Sequence, residues 1–344
     1  MKRKDRGVAG SRDAFSAARR DVLRAGAGSL AATMFGAGRD ASAEATYPDR
    51  PVRIIVPWPA GGVSDSGTRR IAAVMEKFLG GRILVENRPG ASGQLATEVV
   101  ARAAPDGYTL LSGDIATHGI NPCIYPKMRV DVFKDFQPVS LRARGGMVLV
   151  VHASSPVRTF ADLVTVTRSA SEPMPYASPG LGTLQHLEME RLIDVTGARL
   201  RPVPYKGEAP ALTDVAAGQV PVMIAFPLVA VPHIQSGRLR ALAVTSRSRL
   251  ASLPDTPTFA ELGRPELESY SWGAFFAPKG TPRPIIDRVA QSVARSAEDP
   301  ALRHFLAPFG SEPVACTPEA LAALMQKEAT RLCAIVRQAG IVLE

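Results

Sequence analysis

The chain has 344 residues, 41 Lys or Arg against 32 Asp or Glu, a formal net charge of +9, and three cysteines. Residues 1–43 hold +5 of that charge, which leaves +4 for the remainder. That surplus excludes a nucleic-acid partner, which would need basic clusters interleaved with aromatics, yet suits attraction of small anions; three cysteines exclude a disulfide scaffold, and no Cys/His spacing marks a metal site.

In chain order, the first segment reads as an export signal. Ala18-Arg-Arg-Asp-Val-Leu-Arg24 is a twin-arginine pattern, followed by an apolar, small-residue stretch from Ala25 to Gly38 and an Ala41-Ser-Ala43 cleavage signal. The stretch is shorter than the ~20 residues of a membrane span. Cleavage after Ala43 and a periplasmic location are expected; the general secretory route stays open, since paired arginines also fit an ordinary basic n-region. No cysteine near the cut could take a lipid. The roughly 300 residues that follow call for two domains.

Val52, Ile54, Ile55 and Val56 predict a buried strand, which Pro57 and Pro59 end. Gly61 and Gly62 then allow a tight turn, Ser64 or Asp65 can cap a helix, and Ile71, Val74, Met75, Phe78 and Leu79 recur at helical spacing. Free amides at such a helix start favour a carboxylate, phosphate or sulfate. A plain strand-to-helix turn fits the local sequence equally well, and no nucleotide-binding fingerprint is present. Strands follow at 83–85 and 108–112, with a helix over 93–104 between them, then a strand at 147–151 near the first crossing between domains.

The second α/β set alternates helices over 160–169, 184–196, 209–217 and 228–236 with strands at 174–177, 200–204, 220–226 and 241–245. Its loop Tyr176-Ala-Ser-Pro-Gly-Leu-Gly-Thr183 is a second candidate anion loop. The chain returns near 270–277 and ends in helices over 284–297, 300–309 and 318–340. The alternation predicts α/β layers with mostly parallel strands, in a first lobe of residues 44–150 plus 270–344 and a second of 151–269. Two strand-loop-helix sites facing one another would clamp a ligand.

A hydrolase triad built on Ser178 and His186 lacks a nucleophile elbow, and a helical histidine is more often structural. His118 and His233 read as packing or loop residues. Lys206 suits either a ligand carboxylate or solvent, Glu86 and Arg88 a turn, and Trp272 packing at the crossing. Cys316 and Cys333 are a candidate disulfide, with sequence separation alone leaving their proximity open.

The order and spacing of several motifs resemble the Bug family, the substrate-binding receptors of tripartite tricarboxylate transporters. They are Tyr47-Pro through Gly61-Gly62, Val85-Glu-Asn-Arg-Pro-Gly-Ala91, Ala104-Pro-Asp-Gly-Tyr-Thr-Leu110, Asn121-Pro, Val203-Pro-Tyr-Lys-Gly207, Gly218-Gln-Val220 and Gly237-Arg-Leu-Arg-Ala-Leu-Ala-Val-Thr245. The resemblance implies an α/β type II periplasmic binding protein whose two lobes close on a small organic carboxylate. It further implies a non-enzymatic, monomeric receptor without a cofactor, serving membrane transporter subunits or, alternatively, a sensor kinase; a secreted hydrolase is the reading from another class.

The ligand-binding residues implied are Trp58, Ala60, Gly61, Gly62, Val63, Ser64 and Asp65 in the first loop, Ser178, Gly180, Leu181, Gly182 and Thr183 in the second, with Thr117 and Phe226. The amides of Gly180 to Thr183 are expected to face the ligand. Ala60 and Val63 depart from a frequent Pro and Gly of the family. Pro221 and Ala225 stand where many relatives have Asp, which implies a cleft poor in carboxylates and unsuited to an ammonium group, with Trp58, Phe226 and Val63 against an apolar or aromatic body.

Overall fold

The computed structural model describes residues 47–341, so the export signal and its cleavage motif lie outside the described residues. Val52–Val56 forms strand β1, buried at every position but Arg53, and leads through a turn into helix α1, Val63–Leu79. Ile71, Val74, Met75 and Leu79 pack inward, and Gly80 ends the helix in the left-handed conformation. Strand β2 (Ile83–Asn87), helix α2 (Gln94–Ala101) and strand β3 (Thr109–Asp114) follow, and β1 pairs in parallel with both neighbours. A π turn over Ala116–Ile120 runs into the short helix α3, Asn121–Ile124. Beyond it lies β4, Phe136–Gly145, a ten-residue strand absent from the sequence-based expectation.

After β4 the chain enters the second sheet with β5, Val148–His152. There follow α4 (Phe160–Ser169), β6 (Met174–Ser178), α5 (Leu184–Thr196), β7 (Leu200–Pro204), α6 (Glu208–Ala216), β8 (Val222–Ala225), α7 (Pro227–Gln235) and β9 (Leu239–Val244). The chain then returns to the first sheet as β10, Ser271–Pro278, and ends with α8 (Arg283–Ala297), α9 (Pro300–Leu306), β11 (Ser311–Pro313) and α10 (Pro318–Gln338).

The two sheets are ordered β11-β4-β10-β3-β1-β2 and β7-β6-β8-β5-β9. Among the named strands of the described residues, β1 pairs in parallel with β2 and β3, and β6 with β7 and β8; β10, β4, β11, β5 and β9 pair antiparallel, where mostly parallel sheets were expected. The difference follows from the crossings, since a strand arriving from the other sheet runs opposite to the βα units it joins. Thr245 holds the crossing segments together. Its amide donates to Met147 O at 2.9 Å, and its hydroxyl accepts from Met147 N and donates to Ser269 O, each at 2.9 Å.

Helix α10 packs on β4 and α3 and also reaches α5 of the second set, where Arg331 Nη1 meets Glu188 Oε1 at 2.7 Å. The disulfide differs from the candidate pair: Cys123 in α3 bonds Cys333 in α10, with Cα atoms 5.0 Å apart. Cys316 is a free thiol beside β4, its Sγ accepting from Leu141 N at 3.4 Å, which places it in the segment before α10 rather than against that helix.

Candidate functional site

A cleft of about 770 Å³ is lined by residues of both sheets and their helices. On the first side, the loop after β1 turns at Gly61, whose φ of +82° suits glycine. Its shape is fixed from behind by Asp65, which accepts from Gly61 N at 2.8 Å, Arg69 Nε at 2.9 Å and Asn87 Nδ2 at 2.9 Å. Burial alone would raise the Asp65 pKa, but these donors hold it below the usual carboxylate value. Asn87 Nδ2 also donates to Trp58 O at 3.0 Å, so the strand β2 terminus braces the same loop. The N-cap of α1 is Gly62, with no side-chain cap, and Trp58, Ala60, Gly62, Val63 and Ser64 line the cleft. Gly61 and Asp65 stand behind that surface and shape it.

On the second side the loop after β6 is more self-contained than expected. Gly180 N donates to Ser178 Oγ at 3.3 Å, Gly182 N to His186 Nδ1 at 3.0 Å and Thr183 N to Gly180 O at 3.4 Å. Three of the four amides expected to face a ligand are therefore engaged within the loop, two by the Ser178 and His186 side chains and the third by Gly180 O. Leu181, Gly182, Thr183 and Phe226 line the cleft, while Ser178 and Gly180 do not. Thr117 also differs from expectation. It is buried off the cleft, its hydroxyl satisfied by Asp114 and His118, because the π turn folds it back onto the end of β3.

His118 and His186 are structural in their surroundings. His118 stacks on Phe276 with ring centroids 3.8 Å apart, and burial pushes its pKa down to about 3. His186 is held as an acceptor of Gly182 N, and Ser178 Oγ donates to Gly180 O at 2.9 Å rather than to a base. No cluster of metal-ligating side chains occurs among the described residues.

Among the cleft-lining residues that the sequence reading did not assign to the site are Asp114, Arg142, Glu208 and Trp272. Asp114 ends β3 and accepts from Trp58 Nε1 and, at 3.0 Å, from Thr117 N. Burial raises its pKa against those hydrogen bonds and the attraction of Arg142. Glu208 opens α6 and accepts from Phe226 N at 2.6 Å; burial pushes its pKa up to about 7, opposed by Phe226 N and the Gln185 side chain. A cleft poor in carboxylates was expected, and these two correct it; Pro221 and Ala225 do not line it. Trp272, expected at the crossing, is buried in the core yet also borders the cleft.

Arg142 is the least expected. It sits in β4 where the register against β10 steps from Ala143 opposite Gly273 to Leu141 opposite Ala274, so it is the extra residue of a β-bulge. The bulge turns its side chain under the N-terminal turn of α1, where Nη2 donates to Ser64 Oγ at 3.0 Å. Burial pulls its pKa down to about 10 with Asp114 opposing, so it stays charged at neutral pH. An arginine two residues from Arg144 in a segment with Pro138 carries no sequence signal of burial.

Residues 68–341 match the family described as the tripartite tricarboxylate transporter family receptor. The chain is 35% identical over 300 residues to protein BugT of Bordetella pertussis, covering 87% of this chain and 92% of BugT. An R. palustris protein solved with adipate is 35% identical with a TM-score of 0.74, over 86% of this chain and 99% of that one. MatC from Rhodopseudomonas palustris, solved with bound malate, is 33% identical with a TM-score of 0.68, over 84% of this chain and all of that one. The fold is that of type II periplasmic binding proteins, two α/β lobes with a ligand cleft between them. The chain belongs to the Bug family of tripartite tricarboxylate transporter receptors.

Proposed function

We propose that this chain is an exported, periplasmic solute receptor that captures a small organic carboxylate in the cleft and delivers it to a tripartite tricarboxylate-type membrane transporter. The observation that carries the reading is the cleft itself: an uncapped helix start and a buried cation on one wall, and apolar side chains around them. Relatives solved with adipate and with malate support the carboxylate class. Trp58, Ala60, Gly62, Val63 and Ser64 are the proposed contacts on the first wall, with Leu181, Gly182, Thr183 and Phe226 on the second.

A receptor of this kind works by differential affinity. A ligand that bridges both walls stabilises the closed arrangement, and closure presents a new surface to the partner. The hydrolase alternative finds no support, since Ser178 and His186 are each engaged with loop backbone rather than with each other. The test is a thermal-shift screen of protein beginning at Glu44 against dicarboxylates, tricarboxylates, aromatic carboxylates and acidic amino acids. Dose-dependent stabilisation by one acid class is expected; turnover of an acid or its ester, or no stabilisation by any class, would sink the reading.

A further inference from the structure

Arg142 combines features that its structural surroundings do not use. The residue is only 6% exposed, yet it borders the cleft. Of the five N–H donors of a guanidinium, the hydrogen bond it makes among the described residues is the one to Ser64 Oγ, and Nε is buried with no partner. Buried donors left unpaired are rare, because each loses its hydration without compensation.

The nearest counter-charge does not consume it. Asp114 attracts Arg142, but its carboxylate is engaged by Trp58 Nε1, Thr117 N and the Thr117 hydroxyl, and the two residues form no direct ion pair among the described residues. The backbone also makes room for the fork. A Cβ at Gly273 would stand 2.6 Å from Arg142 Cζ, so the bare strand β10 is what allows the guanidinium to lie there. Ser64 ties it to the first turn of α1, whose amides lack a side-chain cap.

We propose that Arg142 is the charged anchor for the ligand's carboxylate on the first-sheet wall, and that the ligand is an organic acid with an apolar body. The proposal rests on the receptor reading above and names the group that would read the acid. A guanidinium matches a carboxylate through two parallel N–H···O bonds, which a backbone loop alone does not supply. The helix start beside it adds its dipole to the same anion. Around this polar corner Ile120, Ile124, Leu184, Phe226 and Phe309 wall the cleft and suit an alkyl or aryl body, while the lining also includes Asn121, Tyr125 and Gln185.

The test is isothermal titration of wild type, Arg142→Met and Arg142→Lys with adipate, malate, benzoate and the uncharged benzamide. Wild type is expected to bind at least one of the acids and not benzamide. Arg142→Met is expected to weaken that acid by about 10- to 100-fold, the worth of a charged hydrogen-bonded contact. Arg142→Lys, which keeps the charge without the fork, is expected to fall between. Nitrogen-15 NMR of arginine-labelled wild type needs no variant: the Arg142 Nε–H resonance is expected to move when the acid is added, which keeps the proposal testable if a variant fails to fold.

Binding of the acid by Arg142→Met within twofold of wild type, or an Arg142 Nε–H signal unmoved at saturation, overturns the anchor while leaving the receptor reading in place. Wild type that binds none of the acids, or binds benzamide alone, overturns the receptor reading and the anchor together.

Discussion

Glu208→Gln replaces a half-buried carboxyl at the cleft wall with a neutral side chain of the same shape, whose oxygen can still accept from Phe226 N. Burial raises the carboxyl from its ordinary 4.5 to about 7, so between those values the folded protein keeps a proton that the unfolded chain has released. Its contribution to stability is therefore complete below pH 4.5 and is lost as pH rises through about 7. The shift sets a ceiling of about 3 kcal/mol at pH 8, and partial contact with solvent brings the expectation to about 2. The glutamine variant does not ionise and escapes that loss. For a chain of this size about 2 kcal/mol corresponds to roughly 3 °C in melting temperature. Calorimetric melts of both proteins at pH 4 and pH 8 are expected to coincide at the lower pH and to separate, variant higher, at the upper. A gap of the same size at both pH values would refute the titration argument, as would a wild type that melts higher at pH 8.

Three further outcomes follow from the packing. The Cys123–Cys333 bridge closes a loop of 210 residues, so Cys123→Ser/Cys333→Ser should lose roughly 5 kcal/mol in the chain-entropy view and show a lower urea midpoint. Thiol titration of the unreduced, denatured protein should find Cys316 alone, and finding more free thiol would refute the pairing. Glu188→Gln takes a buried carboxylate from Arg191 and Arg331, the latter keeping Glu328 at 2.8 Å, so urea unfolding should register a loss of about 1–3 kcal/mol; a change below about 0.5 would mean the cluster is solvated. Asp65→Ala frees Gly61 N, Asn87 and Arg69 at once, and should cost about 1–3 kcal/mol and weaken ligand binding although Asp65 lies off the cleft surface; unchanged affinity would show that the first loop holds its shape unaided.

The sequence was informative where chemistry is local. The β-branched run at Val52–Val56, the double glycine and the apolar spacing of Ile71 to Leu79 announce one strand-loop-helix unit, and Thr183 caps α5 by accepting from His186 N as a residue of its type should. Where partners are distant in the chain, the reading failed. Strand β4 alternates with Arg142 and Arg144 and contains Pro138, so its burial is decided by β10, more than a hundred residues later. Cys123 could be matched to Cys333 only once α10 was known to cross α3. The second-loop amides were misjudged for a related reason: the glycines suggested open donors, but Ser178 and His186, one on each side, close on them.

The placement of β10 couples the order of synthesis to the order of folding. It lies between β4 and β3, both made early, yet it emerges only after the whole second sheet. Until then the first sheet is two fragments, β3 with β1 and β2 on one side and β4 on the other, each with an unpaired edge. A chain cut short before Ser271 would thus keep the complete second sheet while exposing adhesive edges in the first. Neither half can be expressed as an autonomous domain by a single cut, and the nascent protein depends on its last quarter to hide what its first third has made.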